Sequence, residues 1–166
     1  MGLTPRLRGS LRISPEYRTR MFAQLLKKLL TPAEPLTDVD GRLALAALMV
    51  RIARMDHLYA AQEVERIEAV LVQRYGLDAF GAHDLRSQAE VLESEAPDTI
   101  RFTRALKESV PLSDRMGLLV ALWSVALADG DRDPDEDQML RLICNLLGLT
   151  DVESGLARRQ AAALLS

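Results

Sequence analysis

Residues 121–149 read ALWSVALADGDRDPDEDQMLRLICNLLGL, and this stretch decides the fold. An apolar helical run ends at Asp129-Gly130. An acidic turn follows at Asp131-Arg132-Asp133, and Pro134-Asp135-Glu136 opens a second amphipathic run. Glycine past the end of one helix and proline at the first position of the next is the expected punctuation. Glycine takes the left-handed backbone without a Cβ clash, and proline lacks an N–H that the first turn would leave unpaired anyway. The corner therefore gathers carboxylates where two helices meet.

The same unit occurs earlier in the chain. Aligning Asp56 with Asp129, an offset of 73, puts Leu45 on Leu118, Met49 on Leu122, Ile52 on Val125 and Ala53 on Ala126. Beyond the turn Glu63 falls on Glu136, Ile67 on Leu140 and Val70 on Ile143; a one-residue slip then brings Tyr75-Gly76-Leu77 onto Leu147-Gly148-Leu149. Each half is a helical hairpin with an acid at the end of its first helix and a glutamate in the first turn of its second. Two such hairpins related by a pseudo-two-fold would bury their apolar faces together and could bring their acidic turns to a shared face.

The remaining elements follow from period and punctuation. Met21, Phe22, Leu25, Leu26, Leu29 and Leu30 recur at helical spacing among basic residues, predicting a helix over residues 17–30. Such a helix can dock on its own domain or lie on an anionic membrane. Thr31 to Pro35 breaks it, and Thr37 with Asp40 has the spacing of a capping box for the next helix. That helix is apolar around much of its circumference from Leu43 to Ala53, and should be central. Further helices run from about Ala60 to Tyr75, from Asp78 to about Glu93, and from Pro97, taken as a first-turn residue, through Leu106. The sixth starts at Pro111 to Asp114, the seventh follows the acidic corner, and Thr150 with Glu153 caps a last one. No stretch alternates at period two, so the chain is all-α: a seven- to eight-helix bundle built from two pseudo-symmetric hairpin halves.

Bulk properties narrow the function. The 166 residues are 48% hydrophobic but only 4% aromatic, which suits an aliphatic helical core. Residues 1–28 hold seven basic residues against Glu16 alone, +6, leaving −9 for the rest of a chain whose formal charge is −3. The body is thus not a nucleic-acid binder, while residues 1–20 read as a basic, disordered arm or an extended start to a domain spanning 21–166. A single cysteine, Cys144, lies on an apolar helical face and excludes an internal disulfide, in keeping with a reducing cytoplasm. There is no apolar run of about 20 residues to span a membrane. The two histidines, His57 and His83, join no Ser/His/Asp set, phosphate loop or zinc spacing, so the chain does not read as an enzyme.

The acids have two readings. Asp133, Asp135 and Glu136 suit the positive end of a helix dipole, and need no further explanation. Asp56 and Asp129 sit at helix C-termini, where a carboxylate is disfavoured by roughly 0.3–1 kcal/mol. Each calls for a compensating partner: a metal ion, an arginine such as Arg54 or Arg132, or N–H groups of the next helix. Oxygen ligands at Asp129, Asp131, Asp133 and Glu136, with Asp56, Glu63 and the His57 imidazole from the first half, would suit Ca²⁺, Mg²⁺ or Mn²⁺. The run departs from an EF-hand loop, since Pro134 stands at the glycine position and Leu140 at the bidentate glutamate.

At Ala128-Asp129-Gly130 with Asp135-Glu136, the upstream Ala121-Leu122-Trp123, the downstream Leu146-Leu147-Gly148-Leu149 and the weaker copy around Asp56 and Glu63, the chain resembles the TerB-like family of helical domains associated with tellurite resistance. The likeness covers about residues 38–150. It implies a two-half helical bundle in a bacterial, cytoplasmic or membrane-associated protein with no established reaction. It also implies Asp56, Glu63, Asp129 and Glu136 as metal ligands, and partners in stress-response or membrane-linked protein complexes. His57 departs from the glycine that commonly follows the first acid.

Overall fold

The computed structural model describes residues 14–30, 38–95 and 97–166. Among them are eight α-helices and no strand: α1 (Pro15–Leu30), α2 (Asp38–Ala53), α3 (Ala61–Tyr75), α4 (Ala79–Glu95), α5 (Thr99–Ser109), α6 (Arg115–Ala126), α7 (Pro134–Leu146) and α8 (Asp151–Leu165), with a 3₁₀ turn at Leu112–Asp114. The chain divides into two compact units at Glu34/Pro35, and the first contributes α1. The expectations for residues 1–13, for the linker at Thr31 to Pro35 and for the Thr37 cap fall outside the described residues. No described helix is long and apolar enough to cross a membrane.

In the second unit α2 is the central rod. From Ala44 to Ala53 only Arg51 is even half-exposed, and the helix packs against α3, α4, α5, α6 and α7. Its apolar circumference is what permits neighbours on every side. The repeat is reproduced in burial: Leu45 and Leu118, Met49 and Leu122, Ile52 and Val125, Ile67 and Leu140, and Val70 and Ile143 are all core residues. Trp123 of α6 is buried and donates its indole N–H to Ser154 of α8 at 3.3 Å, while Cys144 is buried and its thiol reaches the Thr150 carbonyl.

Helix ends follow the local chemistry with one revision. Gly76 and Gly148 take φ of 63° and 78°, as C-terminal glycines do. Thr150 Oγ1 accepts from the Glu153 N–H while Glu153 Oε2 accepts from the Thr150 N–H at 2.7 Å, completing a capping box. Pro97, expected in the first turn of α5, lies before it. Asp98 is the N-cap, its carboxylate accepting from the Arg101 N–H, and a side chain that can satisfy an orphan donor displaces proline from that end.

Leu122 is fully buried where α6 meets the core. Leu122→Ala is expected to lower the unfolding free energy by about 2–5 kcal/mol in chemical denaturation, with helical circular dichroism retained.

Candidate metal centre

The two corners superpose in conformation as well as in sequence. After α2, the Asp56 carboxylate accepts from the Leu58 N–H at 2.9 Å; after α6, the Asp129 carboxylate accepts from the Asp131 N–H at 3.0 Å. Both are side-chain-closed turns, and they supply the donors that acids at helix C-termini require. The residue after each acid is left-handed: Gly130 at φ 80° and His57 at φ 64°. His57 therefore does the backbone work of the glycine it replaces, and its side chain is exposed. The two candidate arginine partners are engaged elsewhere. Arg54 bonds Glu93 at 2.7 Å and Arg132 bonds Asp137 at 2.7 Å.

The first-turn glutamates of α3 and α7 face inward. Glu63 is fully buried and Glu136 is 3% exposed. Glu63 Oε2 accepts from the Ala60 N–H at 2.7 Å, but its Oε1 has no partner, and neither does Oε1 of Glu136. Asp133 caps α7 by accepting from the N–H groups of Asp135 and Glu136. The reciprocal bond of a capping box is missing among the described residues, because the Glu136 carboxylate is directed into the cluster instead. Asp56, Glu63 and Glu136 place one carboxylate oxygen each within 4.8 Å of the others.

This arrangement has electrostatic consequences. Burial raises the carboxyl of Glu63 to about 7, with the charges of Asp56 and Asp129 adding to the rise and the Ala60 amide opposing it. Glu136 is pushed up to about 8, by burial first and then by Glu63, Asp56, Asp129 and Asp133. Among the described residues no lysine or arginine forms an ion pair with any member of the cluster. The buried carboxyls must therefore be protonated or meet a cation that the described residues do not supply.

Of the six acids singled out in the sequence, Asp56, Glu63 and Glu136 come together, and Asp129 lies near enough to raise both glutamates. Asp131 is exposed and contributes only its N–H, and Asp133 is a cap. Sequence reasoning missed Tyr59. At φ 40°, it donates its hydroxyl to Glu90 Oε1 at 2.5 Å, tying the first corner to α4 beside the buried Arg86, which also pairs with Glu90 and with Glu68. Its only signal was a tyrosine three residues beyond the corner acid.

Both glutamates hold protons in the folded state at pH values where the unfolded chain has lost them. Stability is then greatest near and below the unfolded value of about 4.5 and declines as pH rises through about 7 to 8. Metal-free protein should lose on the order of 6 kcal/mol of unfolding free energy between pH 5 and pH 8. Glu63→Gln/Glu136→Gln should flatten the profile; urea titrations across that range measure both.

A family model described as "Tellurite resistance protein TerB" matches residues 42–159, a span that includes both corners, the three clustered acids and the neighbouring Asp129. No curated protein and no solved structure gives a match. With most of the chain covered by that model and its two hairpins folded around one acidic cluster, the protein belongs to the TerB family.

Proposed function

We propose that this TerB domain is a non-enzymatic cation-binding module, and that one hard divalent cation enters between its two corners. The reading rests on one observation: two buried carboxylate oxygens, Glu63 Oε1 and Glu136 Oε1, without partners and close to Asp56. The donor set is all oxygen and anionic, which suits Ca²⁺, Mg²⁺ or Mn²⁺ better than softer ions. Asp56, Glu63 and Glu136 would hold it, with Asp129 adding charge. The ion supplies the positive charge that the cluster lacks, and displaces the proton that otherwise resides there.

Since Glu63 belongs to one hairpin and Glu136 to the other, a bound cation links the halves of the bundle. In this reading the domain responds to divalent cation by stiffening that junction, and presents the result to partner proteins of a cytoplasmic or membrane-linked stress-response complex. The basic α1 would supply peripheral contact with anionic lipid. The alternative is a plain interaction scaffold whose acids finish helices; it is favoured by the Asp133 cap and by the closed turns at Asp56 and Asp129.

Calorimetric titration of metal-free protein at pH 7.5 separates the two. Saturable binding of Ca²⁺, Mg²⁺ or Mn²⁺ is expected, with proton release visible as a buffer-dependent heat and a rise in melting temperature. Glu63→Gln/Glu136→Gln should fold and lose binding, whereas Asp131→Asn should bind normally. Absence of heat at millimolar cation, with an unchanged melting temperature, rejects the cation reading. For α1, co-sedimentation with anionic liposomes should be lost on deleting residues 1–30; binding that persists rejects the anchor.

A further inference from the structure

A cavity of about 270 Å³ opens between α3 and α6, with the end of α8 completing its wall. From α3 come Arg66, Val70 and Arg74, one stripe at i, i+4 and i+8; from α6 come Gly117, Val120 and Ala121. Both charged residues of the lining are guanidinium groups, in a chain whose formal charge is −3. Among the described residues neither arginine pairs with a carboxylate. Apart from Gln73, the rest of the lining is apolar.

One of the two cations is held in place. Arg66 Nε donates to Ser124 Oγ at 3.0 Å, and the fully buried Ser124 donates in turn to the Ala121 carbonyl at 2.7 Å. That chain orients the guanidinium plane and leaves its two Nη groups for another acceptor. A fixed fork is the geometry that suits a carboxylate. At the opposite end Gly117 faces Arg74, and a Cβ there would stand 3.4 Å from Arg74 Nη1, in ordinary contact. The volume lies just under the range of about 300–1,000 Å³ typical of drug-sized ligands, and so favours a single alkyl chain over a helix or a nucleotide.

We propose that this groove binds a medium-chain aliphatic carboxylate. Its head is taken by the Nη groups of Arg66, Arg74 supplies the second positive charge, and its tail lies along Val70, Val120 and Ala121. The site is separate from the acidic cluster and does not depend on the cation reading.

Octanoate is the probe, with octanol as the uncharged control and butyrate as the short-chain control. Titration followed by amide chemical shifts should show saturable octanoate binding, with the largest changes at Val70, Gly117, Val120 and Ala121. Octanol and butyrate should bind roughly tenfold more weakly or worse. Arg66→Gln should weaken octanoate by a similar factor, Arg66→Lys should restore only part of it, and Gly117→Val should fill the groove. The melting temperature of each variant verifies its fold, and Glu63→Gln/Glu136→Gln should keep full octanoate affinity even where cation binding is lost. No saturable binding at millimolar octanoate, binding undiminished in Arg66→Gln, or shifts centred elsewhere would overturn the proposal. So would anionic vesicles that shift these amides when free octanoate does not, which would make the groove a membrane contact.

Discussion

Two glutamates from opposite halves of the chain, each removed from water, face a third carboxylate, and no arginine or lysine of the described residues pairs with them. Burying one unpaired charge is among the costliest arrangements available to a folded chain, and burying several of one sign is costlier. The cluster persists because each glutamate has an alternative to ionising: Glu63 and Glu136 keep protons to about 7 and 8. A hydrophobic pair at these positions would have stabilised the bundle more simply. The carboxyls lie at the junction of the two hairpins, one glutamate from each.

The two corners reach one conformation by different means. In the second, Gly130 takes the left-handed backbone at no steric cost and Asp133 caps α7. In the first, His57 and Tyr59 both have positive φ, a conformation costing a non-glycine residue about 1–2 kcal/mol. Such strain survives only where the surroundings over-determine it. Here the Tyr59 hydroxyl is fastened to Glu90, the Arg54 guanidinium lies 5.3 Å from the centre of the Tyr59 ring, and Arg86 ties Glu90 to Glu68. With Ala60 unable to cap α3 by its side chain, Glu63 binds the Ala60 amide itself, and only one of its oxygens is left facing the cluster.

The sequence carries most of this fold because helices announce themselves locally. Apolar period, glycine stops and the Thr150/Glu153 box placed the elements to within a few residues, and the internal repeat identified the pairs that share the core. What it could not resolve was choice among equals. Six acids occupy or flank the second corner, and capping, pairing or clustering are all locally consistent with them. The Asp133 cap is local, whereas only tertiary placement leaves Asp131 in water and turns Glu136 inward. The arginines were ambiguous for the same reason: Arg54 finds Glu93, 39 residues away, on a helix whose position no local pattern reveals.

The acidic cluster and the arginine groove coexist on α3. Glu63 and Arg66 are three residues apart, neighbours on the helix surface, yet one meets buried carboxylates while the other is held by Ser124 of α6. Opposite charges so close would satisfy each other if both were free to move; among the described residues they form no ion pair. Glu63 is committed to the Ala60 amide and Arg66 to the Ser124 hydroxyl, one bond each, made by groups whose own helices fix them. Two modest hydrogen bonds thus keep a positive and a negative group on one helix from cancelling.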